Sequence, residues 1–249
     1  MTASDLQTLA SQIDPRTAAL FLDFDGTLID LAATPDDIVV PDGLIATLNG
    51  LRDVLDGRVA IITGRTDRDV ARYLSQFAGP IYGSHGGCLH WQDEHEYIVD
   101  PPDTLQDMTQ DAKHFTARHP GVAVEEKSMG FAIHYRAKPE LAEDVRAYVD
   151  GVVADNHALE VQASKMAFEV KTAGVSKGAA LRDALTRFGW AASVPWVFGD
   201  DTTDEVAFQA AQELGGHGVK VGQGDSVADY RLRTPADLHE LTNGLRIKK

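Results

Sequence analysis

Ala18 to Leu22 is apolar at every position, and the run stops on an acid, Asp23. A strand with no polar alternation is buried on both faces, as in the interior of a parallel sheet. One aromatic residue further on stands a second acid, Asp25, followed by Gly26 and Thr27. Two carboxylates at the tip of a buried strand are poorly solvated and repel each other. Such a tip requires a positive partner.

The neighbouring sequence extends the pattern. Short apolar runs at Val59–Thr63 and Pro80–Gly83 alternate with helical spacing. Leu44, Leu48, Leu51 and Leu55 line one helical face, and Val70, Leu74 and Phe77 line another after Thr66. Thr66 with Asp69 fits a capping box. This alternation predicts a parallel sheet with helices on both faces. It breaks at "DPPD", residues 100–103. Beyond lie a helix (Leu105–His119) and two strands (Gly121–Lys127, Gly130–Ala137), then a helix (Pro139–Asp155) and two more strands (Ala158–Ser164, Met166–Lys171). Two helix–strand–strand units predict a small antiparallel sheet covered on one face. The first pattern then resumes, with a helix over Ser176–Phe188, a buried strand over Val194–Phe198, a helix over Thr203–Leu214 and a short strand at "GVKVG". The expected fold class is α/β: a Rossmann-like parallel-sheet core, residues 1–102 and 173–249, interrupted by an α+β cap, residues 103–172.

Composition narrows the function. The formal net charge of the 249 residues is −15. A nucleic-acid binder carries a basic patch or stripe, so that class of partner is not expected. An acidic chain also repels phosphates at long range, so a phosphate site here must supply local cations or a metal. The single cysteine, Cys88, rules out an intrachain disulfide. No apolar run approaches the ~20 residues of a membrane span, and the N-terminal stretch lacks the apolar centre of a signal peptide. A cytoplasmic monomer with no membrane partner is expected.

Ligands of open parallel sheets bind beyond the carboxyl ends of the strands. Asp23 and Asp25 stand there after the first strand, Thr63, Gly64 and Arg65 after the second, and Gly199, Asp200 and Asp201 after "VPWVF", with Asp204 one helical turn on. Clustered carboxylates call for a hard cation. Mg2+ takes oxygen ligands and pairs one or two carboxylates with substrate phosphate. The expected ligands are Asp23, the Asp25 carbonyl and Asp200. Lys177 opens a helix, where the dipole disfavours a cation. It reads as half of an anion site or as a solvated lysine. Asp204 and Glu205 also read as acids that complement the helix dipole, and Thr203 as a cap.

Four stretches, "DFDGTLI" (Asp23–Ile29), "ITGR" (Ile62–Arg65), "SKG" with Lys177 and "GDDTTDE" (Gly199–Glu205), resemble the ordered motifs of the haloacid-dehalogenase-like (HAD) phosphohydrolase superfamily over nearly the whole chain. The resemblance implies Asp23 as nucleophile, forming an aspartyl-phosphate, and Asp25 as acid and base. It implies phosphoryl contacts from Thr63 and Lys177, and Mg2+ at Asp23, Asp25 and Asp200 with Asp201 and Asp204 behind them. "EEKSMGFAIHYR" (Glu125–Arg136), and "FEVK" followed by "SKG" (Phe168–Gly178), are similar to trehalose-6-phosphate phosphatases. Carried over by position, this implies substrate contacts from Arg65, Glu125, Lys127, His134, Arg136 and Glu169. One departure is Lys171–Thr172, where that family commonly has an arginine–proline pair.

Strand alternation turns one apolar face of the cap sheet away from a polar face carrying these cap residues. Such a face reads as a plain solvent face or, because hydroxyls donate and accept, as one whose carboxylates and amines suit a sugar. Glu125 and Glu169 would also disfavour a second anionic group on the ligand. The expected activity is Mg2+-dependent hydrolysis of a small-molecule sugar phosphate, trehalose 6-phosphate. The alternatives are sucrose 6-phosphate or a glucosyl-glycerate phosphate as substrate, or a catalytically silent sugar-phosphate sensor. "GSHGG" (Gly83–Gly87) resembles that phosphatase family's core loop, where His85 reads as a turn residue or as one that orients substrate. Cys88 reads as a semi-buried structural thiol with no base beside it in the sequence, and the nine histidines show no metal-ligand spacing.

Overall fold

The computed structural model describes residues 3–32, 37–154, 156–164 and 166–246. The chain divides into two compact units, Met1–Glu96 with Ser176–Lys249, and Tyr97–Val175. In chain order the elements are α1 (Ala3–Gln12), β1 (Ala18–Leu22), α2 (Leu44–Val54), β2 (Val59–Ile62), α3 (Asp67–Tyr73), β3 (Ile81–Gly83), β4 (Cys88–Trp91) and β5 (Glu94–Tyr97). The second unit holds α4 (Leu105–Ala117), β6 (Ala123–Lys127), β7 (Gly130–His134), α5 (Ala142–Val153), β8 (Leu159–Ser164) and β9 (Ala167–Thr172). The first resumes with α6 (Lys177–Arg187), β10 (Val194–Gly199), α7 (Thr202–Glu213), β11 (His217–Val221), β12 (Tyr230–Leu232) and α8 (Pro235–Arg246).

The first unit's sheet runs β12-β11-β10-β1-β2-β3-β4-β5. It is parallel from β12 to β3, and β4 returns antiparallel to β3. Alternate strand residues Leu20, Leu22, Val59, Ile61, Trp196 and Phe198 join leucines of α1, α2 and α8 in one buried cluster. Phe21, Ala60, Ile62 and Val197, the intervening residues, are buried as well. Both faces are thus covered, which is why β1, β2 and β10 carry no charged side chain. The parallel α/β core has the expected form. The sequence reading omitted α1, α8, β4, β5 and β12. In α8 the signal was present, since Leu238, Leu241 and Leu245 follow Pro235 at helical spacing. The short edge strands carry no such signal; β5 reads "EHEY" and owes its form to its neighbour.

β1 ends at Leu22, so both acids lie beyond the strand rather than within it. The Phe24 carbonyl accepts from the amides of Leu28 (2.9 Å) and Ile29 (3.1 Å), which closes a compact turn over residues 24–29. Phe24 is buried between the two acids. Tight turn geometry, not strand alternation, sets the relation of Asp23 to Asp25.

The second unit's sheet runs β6-β7-β9-β8, antiparallel throughout. Phe131, Ile133, Leu159 and Val170 bury one face against Ala112 and Phe115 of α4 and Val145 and Val149 of α5. The register pairs Glu125 with Ala132 and Ala132 with Glu169, and pairs Lys127 with Gly130 and Gly130 with Lys171. These residues, with His134, therefore share the opposite face. β7 stops at His134, so strand alternation does not carry Arg136, which is exposed beyond the strand end. Asp155, the expected end of the second cap helix, lies outside the described residues. Among the described residues, no helix is long and apolar enough to cross a membrane.

Candidate active site

The chain leaves β1 towards β2 on one side, while β10 flanks β1 on the other. A crevice opens at the carboxyl ends where strand order reverses in this way. Leu22 lies level with Phe198, and the Asp23 amide donates to the Phe198 carbonyl at 2.9 Å. Asp23 and Asp200 thus emerge side by side. Asp23, Asp200 and Asp204 each present an oxygen within 4.8 Å of the other two.

Lys177 sits among them. Ser176 caps α6 by accepting from the Ala179 amide at 3.1 Å, which makes Lys177 the first helical residue. Its Nζ donates to Asp23 Oδ1 and to Asp204 Oδ1, both at 2.7 Å. The side chain is only 3% exposed, so the solvated-lysine reading is excluded. Burial alone would pull its pKa down, yet attraction from Asp23, Asp204 and Asp201 holds it above the ordinary lysine value.

Asp201 and Asp204 form the start of α7. Asp201, rather than Thr203, is the cap; its Oδ1 accepts from the Thr203 amide (2.7 Å) and hydroxyl (2.6 Å). Asp204 closes a capping box, with Oδ2 accepting from the amides of Asp200 (3.0 Å) and Asp201 (3.1 Å). Its other oxygen takes Lys177, so both oxygens of Asp204 are engaged by the protein itself. Glu205 does more than face the helix dipole. It accepts from Ser226 Oγ (3.1 Å) and the Val227 amide (2.9 Å), tying α7 to that loop. Sequence reasoning missed Lys220, which is buried on β11 and donates to the Asp200 carbonyl. The signal was legible: a lysine inside "GVKV" is a charge within an apolar strand.

Negative charge exceeds positive charge here. Burial raises the pKa of Asp23, Lys177 lowers it, and Asp200 raises it further, with a net upward shift. Asp200 and Asp204 are raised in turn by burial and by neighbouring carboxylates. A hard divalent cation fits this all-oxygen set and would relieve the repulsion; Asp23 and Asp200 are the carboxylates placed to hold it.

Gly26 guards that arrangement. Its φ is +76°, and a Cβ there would lie 2.2–2.9 Å from the Asp200 carboxylate atoms. Gly26→Ala therefore combines backbone strain with displacement of Asp200. We expect turnover to fall by about 10²-fold, with weaker binding of the divalent ion, measured by titrating activity against Mg2+. Wild-type Mg2+ dependence in the variant would contradict this placement.

Thr63 and Arg65 complete the crevice. The Thr63 amide donates to the Tyr82 carbonyl (2.8 Å), and its hydroxyl accepts from the Arg65 amide (3.1 Å). The Arg65 guanidinium forks onto Asp25, with Nε–Oδ2 at 2.7 Å and Nη2–Oδ1 at 2.8 Å. The amides of Ser84 and His85 donate to the carbonyls of Arg65 (2.6 Å) and Thr63 (2.8 Å). Ser84 and His85 hold φ of 50° and 57°, a conformation that costs of order 1–3 kcal/mol each in non-glycine residues. "GSHGG" is thus a strained turn that braces the Thr63–Arg65 loop.

On the cap sheet the acids are already paired. Glu125 contacts His134 Nε2 (2.8 Å), Glu169 accepts from Lys127 (2.7 Å), and Lys171 meets Glu160 (3.0 Å) and the Val175 carbonyl (3.1 Å). Lys127 thus offsets the charge of Glu169, while His134 occupies an oxygen of Glu125. Lys171, whose place in the family pattern differs, is committed within its own unit.

The trehalose-phosphatase family profile matches residues 21–236, most of the chain. The chain belongs to this family. The trehalose-6-phosphate phosphatase of Escherichia coli K12 is 31% identical over 236 residues, covering 93% of this chain and 89% of that one. A trehalose-6-phosphate phosphatase of Aspergillus fumigatus superposes with a TM-score of 0.76 at 25% identity, covering 100% of this chain and 98% of that one. A haloacid dehalogenase-like hydrolase of Bacteroides thetaiotaomicron shares the fold, with a TM-score of 0.65 at 16% identity, covering 92% of this chain and 99% of that one. A trehalose-phosphatase family member is a phosphoric monoester hydrolase, and the acidic crevice of this one is built on the HAD-like core.

Proposed function

We propose that this trehalose phosphatase hydrolyses trehalose 6-phosphate to trehalose and inorganic phosphate through an aspartyl-phosphate on Asp23. The carrying observation is the hold of Lys177 on Asp23 Oδ1, at 2.7 Å, inside a buried carboxylate cluster. The lysine fixes one oxygen and presents the other for in-line attack on phosphorus. As the Asp23–phosphorus bond forms, the ester bond to the sugar oxygen breaks, and Asp25 donates a proton to the departing alkoxide. Asp25 then takes a proton from the water that attacks the acyl-phosphate, returning Asp23 as a carboxylate. Thr63 and Lys177 hold phosphoryl oxygens. Mg2+ at Asp23, Asp200 and the Asp25 carbonyl, when bound, offsets the negative charge of the phosphoryl group. Asp201 and Asp204 act behind it by fixing the start of α7.

The fork from Arg65 adds a constraint. The fork occupies both oxygens of Asp25, whereas proton transfer to the leaving group needs one of them free to face it. Substrate binding must therefore loosen the fork before the first step. Arg65→Lys keeps the charge without the fork. It is expected to change kcat by about tenfold while KM stays within about threefold. A kcat equal to that of wild type would remove Arg65 from the mechanism.

Glu125, Lys127, His134, Arg136 and Glu169 are proposed to contact the sugar. Phosphate release from trehalose 6-phosphate, sucrose 6-phosphate and a glucosyl-glycerate phosphate tests the substrate. Trehalose 6-phosphate should give the highest kcat/KM, and chelation should stop turnover until Mg2+ is restored. Preference for either competitor would overturn the assignment. Tight binding without phosphate release in saturating Mg2+ would indicate the sensor instead.

A further inference from the structure

A second ligand set shares no residue with the carboxylate crevice. Asp67, the first residue of α3, Cys88, the first of β4, and His95 of β5 each offer a ligand atom within 4.8 Å of the other two. Nothing in the sequence brings them together, because the separations of 21 and 7 residues follow no ligand spacing. The fold does. Cys88 is the strand partner of Gly83, and a Cβ on Gly83 would lie 2.0 Å from the Asp67 amide nitrogen. That backbone contact presses the start of α3 onto the β3–β4 pair. The β4–β5 hairpin then returns His95 to the same place, where its Nδ1 lies 2.5 Å from Asp67 Oδ2. Asp67 and Cys88 are each 1% exposed, while the His95 side chain is 19% exposed and is the side open to solvent.

We propose that Asp67, Cys88 and His95 form a site for a borderline divalent transition ion of the Zn2+ or Co2+ class, distinct from the magnesium crevice. The chemistry of the donors separates the two sites. Asp23 and Asp200 offer oxygen alone, which suits a hard ion, whereas thiolate, imidazole and carboxylate together suit zinc. In a tetrahedral zinc site, neighbouring donor atoms stand roughly 3.3–3.8 Å apart. The three atoms here already lie within 4.8 Å, so the thiol closes inward and the His95–Asp67 contact opens by about 1 Å. Three protein ligands leave a fourth position on the exposed side of His95 for water. Charge balances as well, since one thiolate and one carboxylate neutralise a dication in a buried place. On capture the thiol proton leaves to solvent, and the imidazole binds through Nδ1 as its Nε2–H tautomer. The bound ion would fasten the β4–β5 hairpin to the start of α3, two residues beyond Arg65.

Chelator-stripped full-length protein, held in excess Mg2+ to fill the oxygen site, is titrated with Co2+ and followed by absorption. The expected signal is a thiolate-to-cobalt charge-transfer band that saturates at one ion per chain. The chain has one cysteine, so such a band belongs to Cys88 alone. Zn2+ should abolish the band and raise the melting temperature. Cys88→Ser should lose the band, and His95→Gln should weaken Co2+ binding at least about tenfold. Mg2+-dependent turnover of both variants serves as the check on folding. Absence of a thiolate band in the wild-type protein overturns the proposal without any variant. So does a band that persists in His95→Gln at unchanged affinity.

Discussion

Asp23→Asn is expected to reduce phosphate release from trehalose 6-phosphate by at least about 10⁴-fold, with the fold intact. An amide is a poor nucleophile and cannot form the acyl-phosphate. It has nearly the shape of the carboxylate, so the packing at the tip of β1 is kept. Lys177 retains Asp204 as its partner at 2.7 Å. The substitution also removes one charge from a crowded buried group whose pKa is already raised by burial. The melting temperature should therefore stay within a few degrees of wild type or rise, while turnover vanishes. Phosphate release and a thermal melt on the same preparation check both halves. Substantial residual turnover that remains proportional to variant concentration would mean that another group attacks phosphorus.

Lys177→Met should damage stability and activity together. The ammonium is the shared partner of Asp23 and Asp204, and all three side chains are nearly fully buried. Removing one member of a buried ion pair strands the others and costs about 3–5 kcal/mol. Turnover should fall to near background, because both a phosphoryl contact and the orientation of Asp23 are lost. The deficit should depend on pH, with a sign that follows from linkage. Asp23 and Asp204 are raised in the folded state by burial, and loss of Lys177 raises them further. A group with a raised folded pKa contributes stability that is complete below its unfolded value, about 3.9 for Asp, and lost as pH rises through the folded one. Melts in chelator should thus show the gap between variant and wild type widening from acid to neutral pH. A gap that is flat or narrows with rising pH would show that Lys177 does not neutralise these acids.

Much of the site was legible in sequence because its residues stand at ends of strongly patterned elements. An apolar run ending in Asp23, and another ending in Gly199 and Asp200, both predict buried parallel strands. Parallel strands deliver their carboxyl ends to one edge. What was less legible depended on contacts between segments far apart in the chain. Lys177 read equally well as a solvated residue until Asp23, 154 positions away, was placed beside it. Arg65 was expected at the substrate and is forked onto Asp25. Glu125 and Glu169 stand in the sequence as acids without partners, and residues of other strands, His134 and Lys127, meet them in the fold.

Local pattern alone determined the class of fold, the four-stranded cap, the strand tips and the kind of chemistry they carry. These follow from periodicity and from the cost of burying charge, which any window of the chain expresses. Only tertiary structure decided which charge answers which: Lys177 between two acids, Asp204 held in a capping box, and Cys88 beside His95 and Asp67. Electrostatic and metal-ligand interactions act over a few ångströms in space and are blind to separation along the chain. Their partners are set by how the elements pack, which no single stretch of sequence contains.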